Sequence, residues 1–194
     1  ARQRKAHNSK HTGQEKYNFF LSVIFPAGQL YVMDYNRLVK DLNGLTSEAF
    51  LKEIAAKFDV DETGREKPQK RHEFGMYLDG KWYTLTAQKG SFDAADPVAA
   101  LDVSILQENL LAPILGIGDP RTDKRIDFVG GIRGIGELKK RVDGGKWKVA
   151  FSMFPTSMEE LMKVADAHKI MPPKSTWFEP KLRSGLVVYK YENK

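Results

Sequence analysis

Lys174, Ser175, Thr176, Lys181 and Arg183 are the residues whose types and spacing come nearest to chemistry in this chain. Three cations and two hydroxyls within ten residues suit the holding of an anion. Arginine offers a planar fork to phosphate or carboxylate, and lysine a point charge. The surrounding run, Met171 to Leu186, also carries Pro172, Pro173 and Pro180 and ends at a glycine, Gly185, before Leu186. Prolines exclude a central strand, and Trp177, Phe178 and Leu182 are more apolar than a linker needs. The run reads as an ordered loop that presents cations and donors. Two readings stand side by side. The cations hold an anionic small molecule, nearer phosphate than chloride, or they pair with Glu179 and neighbouring acids and only hold the loop.

Other constellations carry less. Lys174-Ser175-Thr176 looks like the end of a phosphate-binding loop, but two prolines stand where free backbone N–H groups are needed. The glycines of Gly130-Gly131-Ile132-Arg133-Gly134-Ile135-Gly136 match neither nucleotide-loop spacing and fit a tight turn. His7 and His11 have helical i,i+4 spacing but sit in a polar tail, so no metal site is expected. Nothing marks a catalytic acid–base pair, and no reaction is assigned.

The elements that must position these residues follow from local pattern. Tyr17 to Phe25 is apolar and aromatic and predicts a strand, which Pro26-Ala27-Gly28-Gln29 turns into a second at Leu30 to Met33. Asp34 to Asp41 is strand or a short helical turn. Thr46 caps a helix carrying Phe50, Leu51, Ile54, Ala55 and Phe58. Asp59 to Arg71 is a solvated loop. Asp79-Gly80 predicts a type I′ hairpin between strands at Phe74 to Leu78 and Lys81 to Thr86. Asp96-Pro97 opens a helix whose stripe is Val98, Leu101, Ile105 and Leu106 and which Pro113 ends or kinks. Lys124 to Val129 is a strand, Gly136 to Val142 a helix, and Trp147 to Phe154 a strand with Phe151 at its centre. Ser157 and Glu160 form a capping box for a helix whose apolar stripe is Met158, Leu161, Met162 and Ala165. Leu186 to Tyr191 closes the chain as a strand. Irregular alternation with clear hairpins predicts α+β, a mixed and largely antiparallel sheet with helices packed on it.

Composition sets the frame. The 194 residues are 41% hydrophobic, enough for a core, and no apolar run is long enough for a membrane span. The absence of cysteine removes disulfides and thiolate chemistry and fits a cytoplasmic protein. The net charge is +6, but four of the 31 cations and no acid fall in residues 1–10, leaving 27 cations against 25 acids. Specific nucleic-acid binding, which needs a concentrated cationic face, is not expected. Residues 1–16 lack apolar periodicity and read as a flexible basic arm or helix stub, with 17–194 as a single α+β domain. The chain opens on Ala1 without an initiator methionine, which suggests a piece of a longer parent.

The run from Met171 to Leu186, together with Val149-Ala150-Phe151-Ser152-Met153-Phe154-Pro155-Thr156-Ser157 and Ala165-Asp166-Ala167, resembles domain-of-unknown-function family 1015. Tyr17-Asn18-Phe19-Phe20, Met33-Asp34-Tyr35-Asn36-Arg37 and Phe128-Val129-Gly130-Gly131 fit it too. The resemblance implies a bacterial or archaeal protein about twice this long, with no established activity. It also implies an Asp-Gly-His-His-Arg motif similar to the nucleotide-site signature of ParB-like proteins, which include free-serine kinases. This sequence lacks that motif, and His7 is not its equivalent. The chain then resembles the C-terminal half of a family member. Its partner would be the missing N-terminal region, any nucleotide cofactor would belong to the full-length parent, and Lys174, Ser175, Thr176, Lys181 and Arg183 would complete a site for an anionic or phosphorylated small molecule. The alternative is a non-enzymatic interaction or structural domain.

Overall fold

A computed structural model describes residues 1–181, 183 and 185–190. The chain divides into two compact units, one of residues 1–30 with 180–194 and one of residues 31–179. This is a different partition from an arm at 1–16 and a single body at 17–194. In the first unit the regular helix is α1, Arg2–Ala6. Beyond it Tyr17 gathers Asn8 and His11, whose side chains bond its hydroxyl at 2.9 and 3.0 Å.

The second unit holds the sheet. In chain order its elements are β1 (Tyr31–Met33), β2 (Tyr35–Val39), α2 (Ser47–Ile54), β3 (Phe58–Asp61), β4 (Glu73–Leu78), β5 (Lys81–Ala87) and α3 (Asp102–Leu106). Then come a π-helical turn (Gln107–Leu111), β6 (Ile126–Gly130), α4 (Gly136–Asp143), β7 (Val149–Met153), α5 (Met158–Asp166) and β8 (Trp177–Glu179). Six strands form one sheet in the order β3-β5-β4-β7-β2-β6, every neighbouring pair antiparallel. β1 and β8 form a separate antiparallel pair. The fold is α+β.

Local chemistry explains several elements. Asp79 and Gly80 have φ of +49° and +81°, the left-handed pair that a tight hairpin needs between β4 and β5. Thr46 accepts the N–H of Ala49 and starts α2. Ser157 and Glu160 complete the capping box of α5. Directly opposed residues in an antiparallel sheet share a face. One face therefore carries Phe151, Met76 and Val39, and the main core builds on it with Phe50, Ile54, Leu106 and Leu110. The other carries Leu38, Ala150 and Tyr77 under Leu138 of α4.

Four expectations are corrected. Tyr17 to Phe25 forms no strand: Phe20 is 82% and Ile24 90% exposed, so no sheet face receives them. β1 pairs instead with β8, so the proline-rich run contains a strand at its centre. In α5 the buried residues are Glu160 and Val164, while Met162 is 52% exposed. Glu160 is drawn inward because its carboxylate serves both the cap and an ion pair with Arg71 at 2.8 Å. Residues 186–190 form no strand, and Tyr191 lies outside the described residues. The segment 59–71 is also less free than a solvated loop, since it begins in β3 and Glu66 O accepts the Ser152 hydroxyl at 2.6 Å.

Candidate functional site

Strand parity puts a cation where a core residue belongs. Arg37 stands opposite Phe128 of β6 on one side and Phe151 of β7 on the other, and Phe151 stands opposite Met76. The row across the sheet is thus Phe128, Arg37, Phe151, Met76, with only Arg37 charged. Its side chain is turned into the protein, and the residue is 4% exposed. The guanidinium donates to the backbone oxygens of Tyr35 and Lys174, the latter at 3.1 Å. Its carbon lies 5.6 Å from the centre of the Phe128 ring. Among the described residues no carboxylate reaches it as an ion pair. Burial lowers its pKa to about 10, which leaves it charged at neutral pH.

Arg37 and Phe128 form part of the wall of a cavity of about 560 Å³. Ser104 and Gln107 from α3 and the π-helical turn, Arg121, and Pro172 and Pro173 complete much of the rest. Arg121 is held by Asp119 through three side-chain bonds, 3.0 and 3.3 Å at Nε and 2.9 Å at Nη2, so its charge is compensated. The Ser104 hydroxyl is buried and has no partner among the described residues. The cavity thus offers one guanidinium without an ion pair among the described residues, an unused hydroxyl, apolar walls, and two acids, Glu108 and the Asp119 that holds Arg121. A guanidinium of this kind can pair with a carboxylate or a phosphate.

Lys174 continues the arrangement. Its backbone is left-handed, with φ of +59°. Its ammonium lies 5.6 Å from the Tyr35 ring centre and 5.8 Å from that of Phe128. Tyr35 in turn meets Phe128 and Trp177 edge-on at 5.7 and 5.4 Å. Three separated sequence runs therefore meet here: 35–37, 128–131 and 172–177. The glycines fit the same packing, because Gly130 lies against the Trp177 ring and Gly131 against the Asp34 carboxylate.

The remaining residues singled out from the sequence are placed as follows. Ser175 is buried; its hydroxyl bonds Pro172 O at 2.5 Å, and its carbonyl accepts from Thr156 at 3.1 Å. It closes the loop rather than facing the cavity. Thr176 is half-buried beside it in the same unit. Lys181 and Arg183 are exposed and belong to the other compact unit. Glu179 accepts the Trp177 indole N–H at 2.8 Å. His7 bonds Gln3 O, and among the described residues no group of His, Asp and Glu could hold a metal ion. Sequence reasoning missed Arg37 and Ser104. Arg37 had a legible signal, since Tyr35, Arg37 and Val39 share one face of a strand.

The model of the family described as "Protein of unknown function (DUF1015)" matches residues 1–104. The chain belongs to this family. No curated protein matches it. Among solved structures, a free serine kinase mutant in complex with AMP is 14% identical with a TM-score of 0.46, over 77% of this chain and 54% of that one. A conserved hypothetical protein from Pyrococcus furiosus is 16% identical with a TM-score of 0.46, over 77% and 56% respectively. The chain spans about half the length of these structures. No helix among the described residues is long and apolar enough to cross a membrane.

Proposed function

We propose that this domain binds a small anionic molecule, one bearing a carboxylate or phosphate group, in the cavity walled by Arg37, Ser104 and Pro172–Pro173. The observation that carries the reading is the buried Arg37 guanidinium without an ion-pair partner among the described residues. An uncompensated buried charge is costly, and a bound anion offsets that cost. In a longer ParB-like or kinase-like family member, the cavity would supply the anion-holding part of a site whose reacting groups lie elsewhere. Lys174 adds charge next to Phe128.

Isothermal titration with phosphate, phosphoserine and ATP tests this. One of them should bind the intact chain, and Arg37→Met should lose it. Lys174→Gln, Lys181→Gln and Arg183→Gln rank the other cations. Absence of binding by all three probes overturns the site. A second reading, a non-enzymatic interaction domain, is favoured by the exposure of Phe20 and Ile24 in the first unit. Light scattering across concentration would show self-association if that surface recruits a second copy.

A further inference from the structure

Much of the cavity wall is one face of a helical run. α3 and the π-helical turn behind it follow each other without a break from Asp102 to Leu111. Val103, Ser104, Gln107, Glu108 and Leu111 line the cavity, at the spacing that keeps side chains on one side of a helix. Four charged side chains share this lining: Arg37, Glu108, Asp119 and Arg121. Asp119 and Arg121 are spent on each other, through side-chain bonds of 2.9 to 3.3 Å. The Gln107 amide is committed to Ile117 O at 2.7 Å. Arg37 and Glu108 remain, of opposite sign, and neither has an ion pair among the described residues. They lie at different depths. Arg37, on the sheet, is 4% exposed, whereas Glu108 is open to solvent at the rim. The unpartnered Ser104 hydroxyl stands one helical turn before Glu108, where side chains four apart are neighbours.

We propose that the ligand of this cavity is a small zwitterion, an amine-bearing phosphate or carboxylate, whose anionic group meets Arg37 and Ser104 inside and whose ammonium meets Glu108 at the mouth. Glu108 is then the residue that selects it. The inference rests on the cavity being an anion site. A plain anion seated on Arg37 would lie in the same cavity as an ionised Glu108, and like charges disfavour that arrangement. An ammonium carried a few atoms from the anionic group turns the repulsion into attraction and uses both unspent charges at once. It also fixes direction, because the two ends of the ligand seek opposite ends of the cavity. The apolar walls, Val103, Leu111, Ile126 and Phe128 among them, suit the short hydrocarbon link between the ends. Recognition is by charge alone, and no covalent bond changes.

Two probe pairs test this, each nearly equal in shape and differing in one charge: phosphoethanolamine against propyl phosphate, and β-alanine against butyrate. At about pH 8 the phosphates are dianions and the amines remain protonated. Titration calorimetry of the intact chain should show the amine-bearing member of the phosphate or the carboxylate pair binding about three- to fivefold tighter at low salt, and whichever pair shows it identifies the anionic group. Added salt should shrink the preference, since Glu108 is exposed. Glu108→Gln should weaken the amine-bearing probe and strengthen its neutral-ended mate, a crossover that a merely structural role would not produce. Binding of any of these probes, phosphate or ATP without a preference for the amine overturns the zwitterion and leaves the anion site standing. Absence of binding by all four probes and by phosphate, phosphoserine and ATP overturns the site and the inference with it. Equal weakening of both members of a pair in Glu108→Gln overturns the assignment of Glu108. So does a preference that survives Glu108→Gln and vanishes in Asp119→Asn, which would hand the ammonium to Asp119.

Discussion

Gly130 lies directly against the six-membered ring of Trp177, with no room for a side chain at position 130. This contact joins the end of β6 to the β1–β8 pair. It also holds the indole edge-on to Tyr35, at the base of the Lys174 loop.

Gly130→Ala must displace the indole or the strand. Overpacking of this kind costs about 1–3 kcal/mol. Denaturant unfolding should show the loss, and tryptophan fluorescence should report the displaced ring. Unchanged stability and emission would mean that the contact is loose.

Phe151 is fully buried at the centre of β7, between Arg37 and Met76. Phe151→Ala leaves a cavity in the main core and should cost about 3–5 kcal/mol. A melting temperature equal to that of the unaltered chain would contradict its placement.

Arg37→Met separates binding from stability. Replacing buried charge by an apolar side chain of similar length is often neutral or stabilising. The variant should melt no lower than the parent and lose anion binding. A variant that unfolds would show that the bonds to the Tyr35 and Lys174 carbonyls are structural necessities, while one that folds and still binds removes Arg37 from the site.

Asp102 makes stability depend on pH. Its carboxyl titrates near 7 in the folded chain and near 4 in the unfolded one. Below about pH 4 it is protonated in both states and costs nothing. As pH rises from 4 to 7 the unfolded state releases its proton first, and stability falls. Above pH 7 the full cost, roughly 4 kcal/mol, is in place. Asp102→Asn keeps an acceptor for the His72 N–H and removes this cost. Its melting temperature should exceed the parent's at pH 8 and match it near pH 4. An equal difference at both pH values would argue against a buried, raised carboxyl.

The fold was legible where the cause is local. The Asp79-Gly80 hairpin, the Thr46 cap and the Ser157–Glu160 capping box each depend on residues a few positions apart. Pairing was not legible where it depends on distance. Residues 17–25 have strand composition, yet composition cannot say whether a sheet edge will be there to receive them. α5 was misread because a capping carboxylate, Glu160, also bonds Arg71 and so occupies a buried position that periodicity assigns to apolar residues. The same holds for the site. Lys174 announced itself through its proline-rich neighbours. Arg37 looked like one cation among many until β6 and β7 placed Phe128 and Phe151 beside it. Nothing near Asp102 in sequence names His72, whose backbone N–H reaches its carboxylate only through the fold.

The strand order has a consequence for how the chain is made. β4 and β5 are adjacent and can pair as soon as both leave the ribosome. β2 waits, because its neighbours in the sheet are β6 and β7. Synthesis stopped after residue 104 would leave β2 and β4 with no strand between them. Such distant pairings close slowly, and an unfinished edge is exposed to the wrong partners meanwhile. The Arg37 pocket, walled also by Phe128 and Pro172, is therefore among the last parts of the molecule to exist.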